Sequence, residues 1–252
     1  MPIFRLPEEI IFPDPQLAEP DGLLAVGGDL APGRILAAYQ QGIFPWYSDG
    51  EPILWWSPAP RLVLLPEEFH LPKRLARTMR QNIFEVRADT AFAKVIASCA
   101  AVRRDAGEGT WITEEMQEAY IALHELGFAH SLESWHEGEL VGGLYGVCLD
   151  RIFFGESMFS CRNDASKVAF ATFMENAEQL HIRAVDCQMT TKHLLRFGSR
   201  ERSREEFDEL LEQFIQQIVP QQPWRLAGQA QSQPPTAQSQ RNSVGPSGPD
   251  GG

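Results

Sequence analysis

Residues 129–188 read AHSLESWHEGELVGGLYGVCLDRIFFGESMFSCRNDASKVAFATFMENAEQLHIRAVDCQ. Three extended segments in this stretch are joined by the tight turns HEGE (136–139) and LDR (149–151), a pattern that indicates antiparallel hairpins. A helical pattern follows over 164–180, and the extended segment RAVDCQ covers 183–188. The sequence therefore predicts three strands, a helix and a further strand, in that order.

The flanking segments predict the rest of a mixed fold. Apolar residues at helical spacing indicate one helix over 92–102 and another after the cap Thr113, while the apolar run at 62–69 is typical of a strand. Helices at 190–198 and 203–217 are expected to cover the sheet. We predict an α+β (mixed α/β) fold whose larger lobe is acetyltransferase-like (GNAT-like), with a central, largely antiparallel sheet flanked by helices.

The two ends of the chain differ from this central region. A helix is predicted within 27–42, and proline-rich turns follow it, so we place a lobe boundary near Arg61. This gives a small amino-terminal lobe (1–60) and a larger lobe (61–226). The low-complexity segment 227–252 lacks apolar residues to bury and is expected to be disordered.

The composition is that of a globular protein. The chain has 252 residues, of which 43% are hydrophobic, enough for one good core or two smaller ones. It has no basic and apolar leader, and no stretch approaches the roughly 18 apolar residues of a membrane span. The cysteines lack C-x-x-C spacing, which argues against a disulfide framework and against zinc. We therefore expect a cytoplasmic protein without a membrane partner.

The charge of the chain bounds its contacts with nucleic acid. A formal net charge of −12 argues against a general nucleic-acid coat, because phosphate binding needs clustered Lys and Arg. A local basic patch remains compatible with it. Lys73, Arg74, Arg77 and Arg80 gather toward one side of a helix, and we take them as candidates for contacts with an RNA backbone. An ordinary solvated helix face is the alternative.

The segment VDCQM carries the sharpest local pattern. Alternation in a strand directs Asp186 and Gln188 to one face, and Val185 and Cys187 to the other. A carboxylate and an amide on a sheet face are costly unless they meet a ligand, water or each other. This makes Asp186 and Gln188 candidate site residues.

The segment FFGESMFS surrounds a carboxylate with apolar side chains. Glu156 lies close to Phe153 and Met158, in a pattern suited to a pocket for an uncharged hydrophobic side chain. Glu156 could receive a cationic amino group there. Alternatively, its acid could hydrogen-bond local backbone, and the aromatic side chains could belong to the core.

Two tryptophans lie in irregular segments flanked by glycine or proline. Trp46 in GIFPWY and Trp111 in GTWIT could each stack on a nucleotide base. Stacking contributes roughly 1–3 kcal/mol per base, enough to hold a terminal nucleotide without reading its sequence. Packing between the lobes is the alternative.

Other kinds of site lack support in the sequence. His124, Glu125 and His130 do not have the H-E-x-x-H spacing of a zinc helix, so we expect no metal. Cys187 is directed away from the polar strand face and reads as a core cysteine rather than a nucleophile. Neither G-x-G-x-x-G nor a P-loop is present, so we expect no nucleotide cofactor.

Nine sequence blocks together resemble the leucyl/phenylalanyl-tRNA-protein transferase family, in that family's order. The blocks are EPDGLLAVGGDL, GIFPWY, WWSP, GTWIT, AHSLESW, LVGGLYGV, GESMFS, NDASK and DCQ. The resemblance implies a small amino-terminal lobe and an acetyltransferase-like lobe that takes aminoacyl-tRNA as donor and uses no cofactor. It also implies transfer of Leu or Phe, and Met more weakly, to proteins with amino-terminal Arg or Lys, which marks them for ATP-dependent proteolysis. We expect a monomer.

The resemblance also assigns roles to particular residues. Trp46 and Trp111 resemble the pair that holds the terminal adenosine, and Asp186 and Gln188 resemble the catalytic pair. The residues that resemble the aminoacyl pocket are Phe153, Glu156, Met158 and Phe173. At Leu144, on a strand of the pocket wall, the family pattern leads us to expect Met.

The chemistry of an ester donor fits a site without a nucleophile. An activated ester can be attacked directly by an amine, and an α-amino group with a pKa near 7.7–8.0 needs only a modest proton acceptor. We expect Asp186 to orient the acceptor and Gln188 to position the amine or polarise the carbonyl. The rival readings are an acetyltransferase, although MFSCRNDASK (158–167) has no glycine-rich pyrophosphate loop, and a non-catalytic RNA-binding adaptor.

Overall fold

The computed structural model describes residues 3–105 and 111–226. In these residues the strands are β1 (Phe4–Arg5), β2 (Leu23–Val26), β3 (Phe44–Pro45), β4 (Leu54–Trp56), β5 (Arg61–Leu64), β6 (Glu85–Ala88), β7 (Ala129–His136), β8 (Glu139–Leu149), β9 (Ile152–Ser160), β10 (Ala184–Asp186) and β11 (Arg200–Arg202). The helices are α1 (Pro32–Tyr39), α2 (Lys73–Arg80), α3 (Phe92–Asp105), α4 (Glu114–Glu125), α5 (Ala165–Glu175), α6 (Lys192–Leu195) and α7 (Arg204–Phe214). The predicted α+β fold class is confirmed.

The strands form a small and a large sheet. The four-stranded sheet has the order β1-β2-β4-β3, and the seven-stranded sheet has the order β11-β5-β10-β9-β8-β7-β6. Within the large sheet β9 and β10 pair in parallel, and the other paired strands run antiparallel. The predicted order of three strands, a helix and a strand is therefore confirmed as β7, β8, β9, α5 and β10.

Tight turns hold the meander in register. Glu137 and Gly138 connect β7 to β8 with φ angles of 52° and 83°. Two-residue hairpin loops favour such left-handed residues, because their twist matches that of the flanking strands. Asp150, in the turn between β8 and β9, also has a positive φ of 50°.

Side chains of the large sheet alternate between two hydrophobic cores. On β8, Tyr145 and Val147 belong to the core that contains α3 and α4, whereas Leu144 and Cys148 belong to the core that contains α5. The first core extends into the small sheet, where it includes the fully buried Trp55. The change from one sheet to the other falls between β4 and β5, next to the predicted boundary at Arg61, and that boundary remains a prediction. The segment 227–252 lies outside the described residues.

Three helices are shorter than predicted. Helix α5 ends at Glu175 rather than at 180, and Asn176 donates its side-chain amide to the Thr172 carbonyl, 2.8 Å away. Asparagine side chains compete with the helical ladder in this way and favour helix ends. Helices α6 and α7 end at Leu195 and Phe214, before the predicted limits. Within the described ranges, no helix is both long and apolar enough to cross a bilayer.

Candidate active site

A cavity of about 420 Å³ lies where the amino-terminal segment meets the large sheet. Its lining consists of Phe44, Pro45, Trp46, Trp111, Leu144, Tyr145, Phe153, Gly155, Glu156, Ser157, Met158, Phe170, Val185, Asp186, Cys187, Gln188, Met189, Thr191, His193 and Leu194. Every predicted catalytic or substrate-binding residue is among them except Phe173. One cavity therefore unites side chains from segments more than a hundred residues apart in sequence.

A bulge in β9 shapes the apolar wall of this cavity. The register pairs Tyr145 with Ser157 and Gly146 with Gly155, so Glu156 is an extra residue without a partner on β8. A bulge of this kind reverses the side-chain alternation beyond it. Phe153 and Met158, five residues apart, would face opposite sides of a regular strand, and the bulge places both on the cavity side.

Gly146 makes room for the ring of Phe153. A Cβ atom at position 146 would lie 2.6 Å from Cζ of Phe153 and 2.1 Å from the Phe154 carbonyl oxygen. Both separations are far below a van der Waals contact, so a side chain at Gly146 would displace the wall of the cavity.

Phe173 lies behind the wall rather than in it. Its side chain is fully buried, and its ring centroid is 4.8 Å from that of Phe153. Phe170, one helical turn earlier on α5, reaches the cavity instead. The resemblance assigned Phe173 to the aminoacyl pocket, but in the structure Phe173 packs against Phe153 and does not line the cavity.

Asp186 ends β10 and is bound by a buried arginine. Nε of Arg61 donates to Oδ1 and Oδ2 of Asp186 at 2.9 and 3.1 Å, and the second nitrogen of the fork donates to Oδ2 at 2.9 Å. The Arg61 guanidinium lies between the rings of Phe44 and Phe207, with its carbon 4.9 and 4.7 Å from their centroids. A carboxylate held in this way is already neutralised within the chain. Sequence reasoning missed Arg61, although an arginine that opens an apolar strand was a usable signal.

Gln188 reaches the site through a turn and not through strand alternation. The strand stops at Asp186, two residues before its predicted end, and Gln188 adopts a left-handed φ of 59°. Its backbone N–H donates to Oδ1 of Asp186 at 2.8 Å. Val185 and Cys187 belong to the core that contains α5, but both also line the cavity beside Asp186 and Gln188, so the predicted separation into two faces is wrong at this point. Burial raises the pKa of the Cys187 thiol to about 12. A thiol with that pKa stays protonated near neutral pH, which argues against Cys187 as a nucleophile.

Glu156 is the centre of a hydrogen-bond network. Nε2 of Gln188 donates to its Oε1 at 2.9 Å, and the Tyr120 hydroxyl donates to its Oε2 at 3.2 Å. The Tyr120 hydroxyl is also 2.5 Å from that of Tyr39, on helix α1. Burial raises the pKa of Glu156 to about 7, even though the hydrogen bonds to the two tyrosines oppose the shift. Sequence reasoning missed both tyrosines, which are individually indistinguishable from core residues.

The two predicted tryptophans lie at the same cavity. Trp46 is 37% exposed, and its ring lies 5.4 Å from that of Trp56, which donates its indole N–H to the Trp46 carbonyl at 2.7 Å. Trp111 is half-buried and packs at the edge of the first core. The structure therefore brings Trp46 and Trp111 to one site, where both indoles line the cavity.

The basic residues lie on helix α2, as predicted. Leu75 faces the protein interior, whereas Lys73, Arg74, Arg77 and Arg80 are exposed. None of these four side chains lines the cavity that contains Glu156. They form a separate surface.

Comparisons with known proteins give a consistent result. A family model for leucyl/phenylalanyl-tRNA protein transferase matches residues 63–212, and the model for the N-terminal domain of that family matches residues 28–59. The chain is similar to the leucyl/phenylalanyl-tRNA–protein transferase of Desulfatibacillum aliphaticivorans, with 58% identity over 216 residues, which cover 86% of this chain and 93% of that protein. The corresponding protein of Syntrophobacter fumaroxidans is 56% identical over 224 residues, 89% of this chain and 96% of its own length. The resemblance inferred from the sequence blocks is thereby confirmed.

A solved structure is also similar, at a greater distance. A GCN5-related N-acetyltransferase from Kribbella flavida aligns with 68% of this chain and 61% of its own, with a TM-score of 0.34 and 11% identity. This likeness is too remote to bear on activity.

Proposed function

Because this chain belongs to the leucyl/phenylalanyl-tRNA–protein transferase family, we propose that it moves Leu or Phe from aminoacyl-tRNA to the α-amino group of proteins that begin with Arg or Lys. Met is a weaker donor. The added residue marks the acceptor protein for ATP-dependent proteolysis. The enzyme acts as a monomer in the cytoplasm, where its four cysteines are free, as they are in the structure.

The observation that carries the proposal is a cavity with an apolar wall and a polar end. The donor side chain packs on Phe153, Met158, Leu144 and Phe170, which line one wall. Burial of a Leu or Phe side chain is worth roughly 1.5–3 kcal/mol. An uncharged side chain is favoured because the wall offers no partner for a charge.

Gln188 positions the attacking amine. Its amide nitrogen donates to Glu156, so its carbonyl oxygen remains available to accept a hydrogen bond from the α-amino group of the acceptor. The neutral amine then attacks the ester carbonyl and forms the peptide bond, while the bond to the ribose oxygen breaks and that oxygen takes the second proton of the amine and leaves as a hydroxyl group. Glu156, with a pKa of about 7, is matched to receive the proton that the ammonium loses before attack.

Asp186 acts through Gln188 in this scheme. We expected Asp186 to orient the acceptor, but its oxygens accept from Arg61 and from the Gln188 backbone. The geometry supports a positioning role, in which Asp186 fixes the turn that aims Gln188 at Glu156.

The nucleic-acid part of the donor has two contact regions. Trp46 and Trp111 hold the terminal adenosine by stacking at the cavity. Lys73, Arg74, Arg77 and Arg80 on α2 contact the phosphate backbone of the tRNA.

The test is transfer of labelled Leu from Leu-tRNA to a peptide that begins with Arg, beside a peptide that begins with Ala. Gln188→Ala is expected to lower transfer at least tenfold. Gln179→Ala is the matched control, because its exposed amide donates to the Arg225 carbonyl and takes no part in the cavity. If the folded chain binds aminoacyl-tRNA but transfers nothing, the adaptor reading replaces the proposal; transfer of acetyl from acetyl coenzyme A would indicate the acetyltransferase reading.

A further inference from the structure

Residues 216–226 form an extended strap that follows α7 and crosses the large sheet. The first hydrogen bond that holds it runs from the backbone N–H of Gln216 to Oδ2 of Asp150, at 2.8 Å. Further along, Gln221 donates from its backbone to the Gly127 carbonyl at 2.8 Å and from its side chain to the Asp150 carbonyl at 2.9 Å. The strap therefore has a fixed position on the sheet.

Trp224 is the anchor of this strap. Its backbone N–H donates to Oδ2 of Asp89 at 2.6 Å, and its indole N–H donates to Oε1 of Gln221 at 2.8 Å. One face of the indole stacks on His130, with centroids 4.2 Å apart and planes 3° from parallel. His130 is held by Asp89 in turn, through Nδ1 at 2.7 Å.

The remaining surface of the indole meets the back of the aminoacyl wall. Its ring centroid is 5.5 Å from that of Phe153 and 5.6 Å from that of Phe173, with which it is nearly parallel. Phe153 lines the cavity, whereas Trp224 and Phe173 are buried behind it. The order from the cavity outward is therefore Phe153, then Phe173 and Trp224, then His130.

We propose that Trp224 is a specificity-determining positioning residue, which sets the depth of the aminoacyl pocket by fixing Phe153 and Phe173 from behind. This inference rests on the proposed function, since the pocket is assigned to the donor side chain. Trp224 touches neither donor nor acceptor. Its ring lies behind Phe153, on the side away from the cavity, while Gly146 on β8 packs closely against the same phenyl ring.

The physical consequence is a change in the size of accepted donors. Replacing the indole with a smaller side chain leaves space behind the wall, into which Phe153 and Phe173 can relax. A deeper pocket keeps its contacts with a large donor and loses contacts with a small one. One methylene in such a pocket changes the ratio of kcat/KM by about 10-fold or more.

The experiment compares Trp224→Leu with the natural chain on Leu-tRNA and Phe-tRNA. The kcat/KM ratio of Phe to Leu is expected to rise about 10-fold in Trp224→Leu. Trp224→Phe keeps an aromatic ring on His130 and should change the ratio in the same direction but by less. It therefore tests the proposal if Trp224→Leu does not fold. Leu226→Ala is the matched control, because Leu226 is buried in the same strap and core, and its ratio should equal that of the natural chain.

The outcomes separate the inference from the function that it rests on. If both Trp224 variants lower Phe and Leu transfer equally, as a general loss of stability does, Trp224 is only structural and the inference fails. If the natural chain transfers neither donor, the proposed function fails first. Thermal unfolding of each variant, measured beside its kinetics, confirms that the ratios compare folded proteins.

Discussion

Arg61 and Asp186, which belong to neighbouring strands of the large sheet, form a buried ion pair with oxygen–nitrogen distances of 2.9–3.1 Å. Their side chains are 1% and 0% exposed. The same guanidinium donates to the Gly42 carbonyl at 3.0 Å, so the pair also ties the segment after α1 to the large sheet. The turn that presents Gln188 therefore depends on an arginine 127 positions earlier in the sequence.

Removing either partner of this pair should destabilise the protein strongly. Arg61→Ala or Asp186→Ala leaves an uncompensated buried charge, which costs roughly 3–5 kcal/mol. Urea unfolding measures the effect. The matched control is Arg87→Ala, because Arg87 pairs with Glu85 at 2.8 Å near the surface, where such a pair contributes about 0–1 kcal/mol. Equal effects at the two sites would contradict the buried-pair account.

The pH dependence of transfer should report Glu156. If Glu156 accepts the proton of the acceptor ammonium, its carboxylate form is required, and kcat/KM rises as the pH increases through about 7. Glu156→Gln should remove that step and leave a step near the pKa of the acceptor amine, about 7.7–8.0. Rates are measured between pH 5.5 and 9 with saturating donor. A step near 7 that persists in Glu156→Gln would assign the proton to another group.

Glu156 should also affect stability, with the opposite sign to an ordinary carboxylate. Because the folded-state pKa of about 7 lies above the ordinary value of 4.5 for a glutamate, folding favours the protonated acid. Its contribution is fully present below pH 4.5 and is lost as the pH rises through 7, by at most about 3 kcal/mol. Glu156→Gln should therefore lose less stability than the natural chain between pH 5 and 8. Urea unfolding at pH 5 and at pH 8 gives the change in unfolding free energy of each protein. Equal changes in the two proteins would contradict a pKa of about 7 for Glu156.

Much of the fold could be predicted from the sequence, because hairpin turns and helical spacing are local signals. The candidate site was only partly predictable. The facing of Asp186 and Gln188 was inferred from alternation, yet Gln188 reaches the site through a left-handed turn that depends on distant Arg61. The residue types around Glu156 do not indicate that β9 contains a bulge there. Phe173 was expected in the cavity wall, but Phe170 lines the cavity instead. The sequence does not show which of two phenylalanines three residues apart on a helix lies nearer the cavity.

The apolar wall predicts how the enzyme discriminates among donors. A pocket of Phe153, Met158 and Leu144 should favour Leu over Val by about 1–3 kcal/mol, or roughly 10- to 200-fold in kcat/KM. Met158→Ala should reduce that ratio, because it removes wall contacts made by the additional methylene of Leu. Met174→Ala is the control, because Met174 is buried in the same core as the wall but does not line the cavity. Equal transfer of Val and Leu by the natural chain would show that this wall does not hold the donor.

The basic face of α2 predicts a sequence-independent contact with tRNA. Arg77 and Arg80 are exposed in the last turn of that helix, and their replacement by Ala should weaken binding of all aminoacyl-tRNAs alike. The slope of the logarithm of the binding constant against the logarithm of the salt concentration should become shallower by about 1–2, because binding releases fewer counterions when phosphate contacts are lost. Arg183→Ala, which removes another exposed arginine, is the control. Aminoacyl-adenosine, a donor without the phosphate backbone, should keep its KM in the double variant. An effect on one tRNA alone, or an equal effect on aminoacyl-adenosine, would show that α2 does not bind the tRNA backbone in this way.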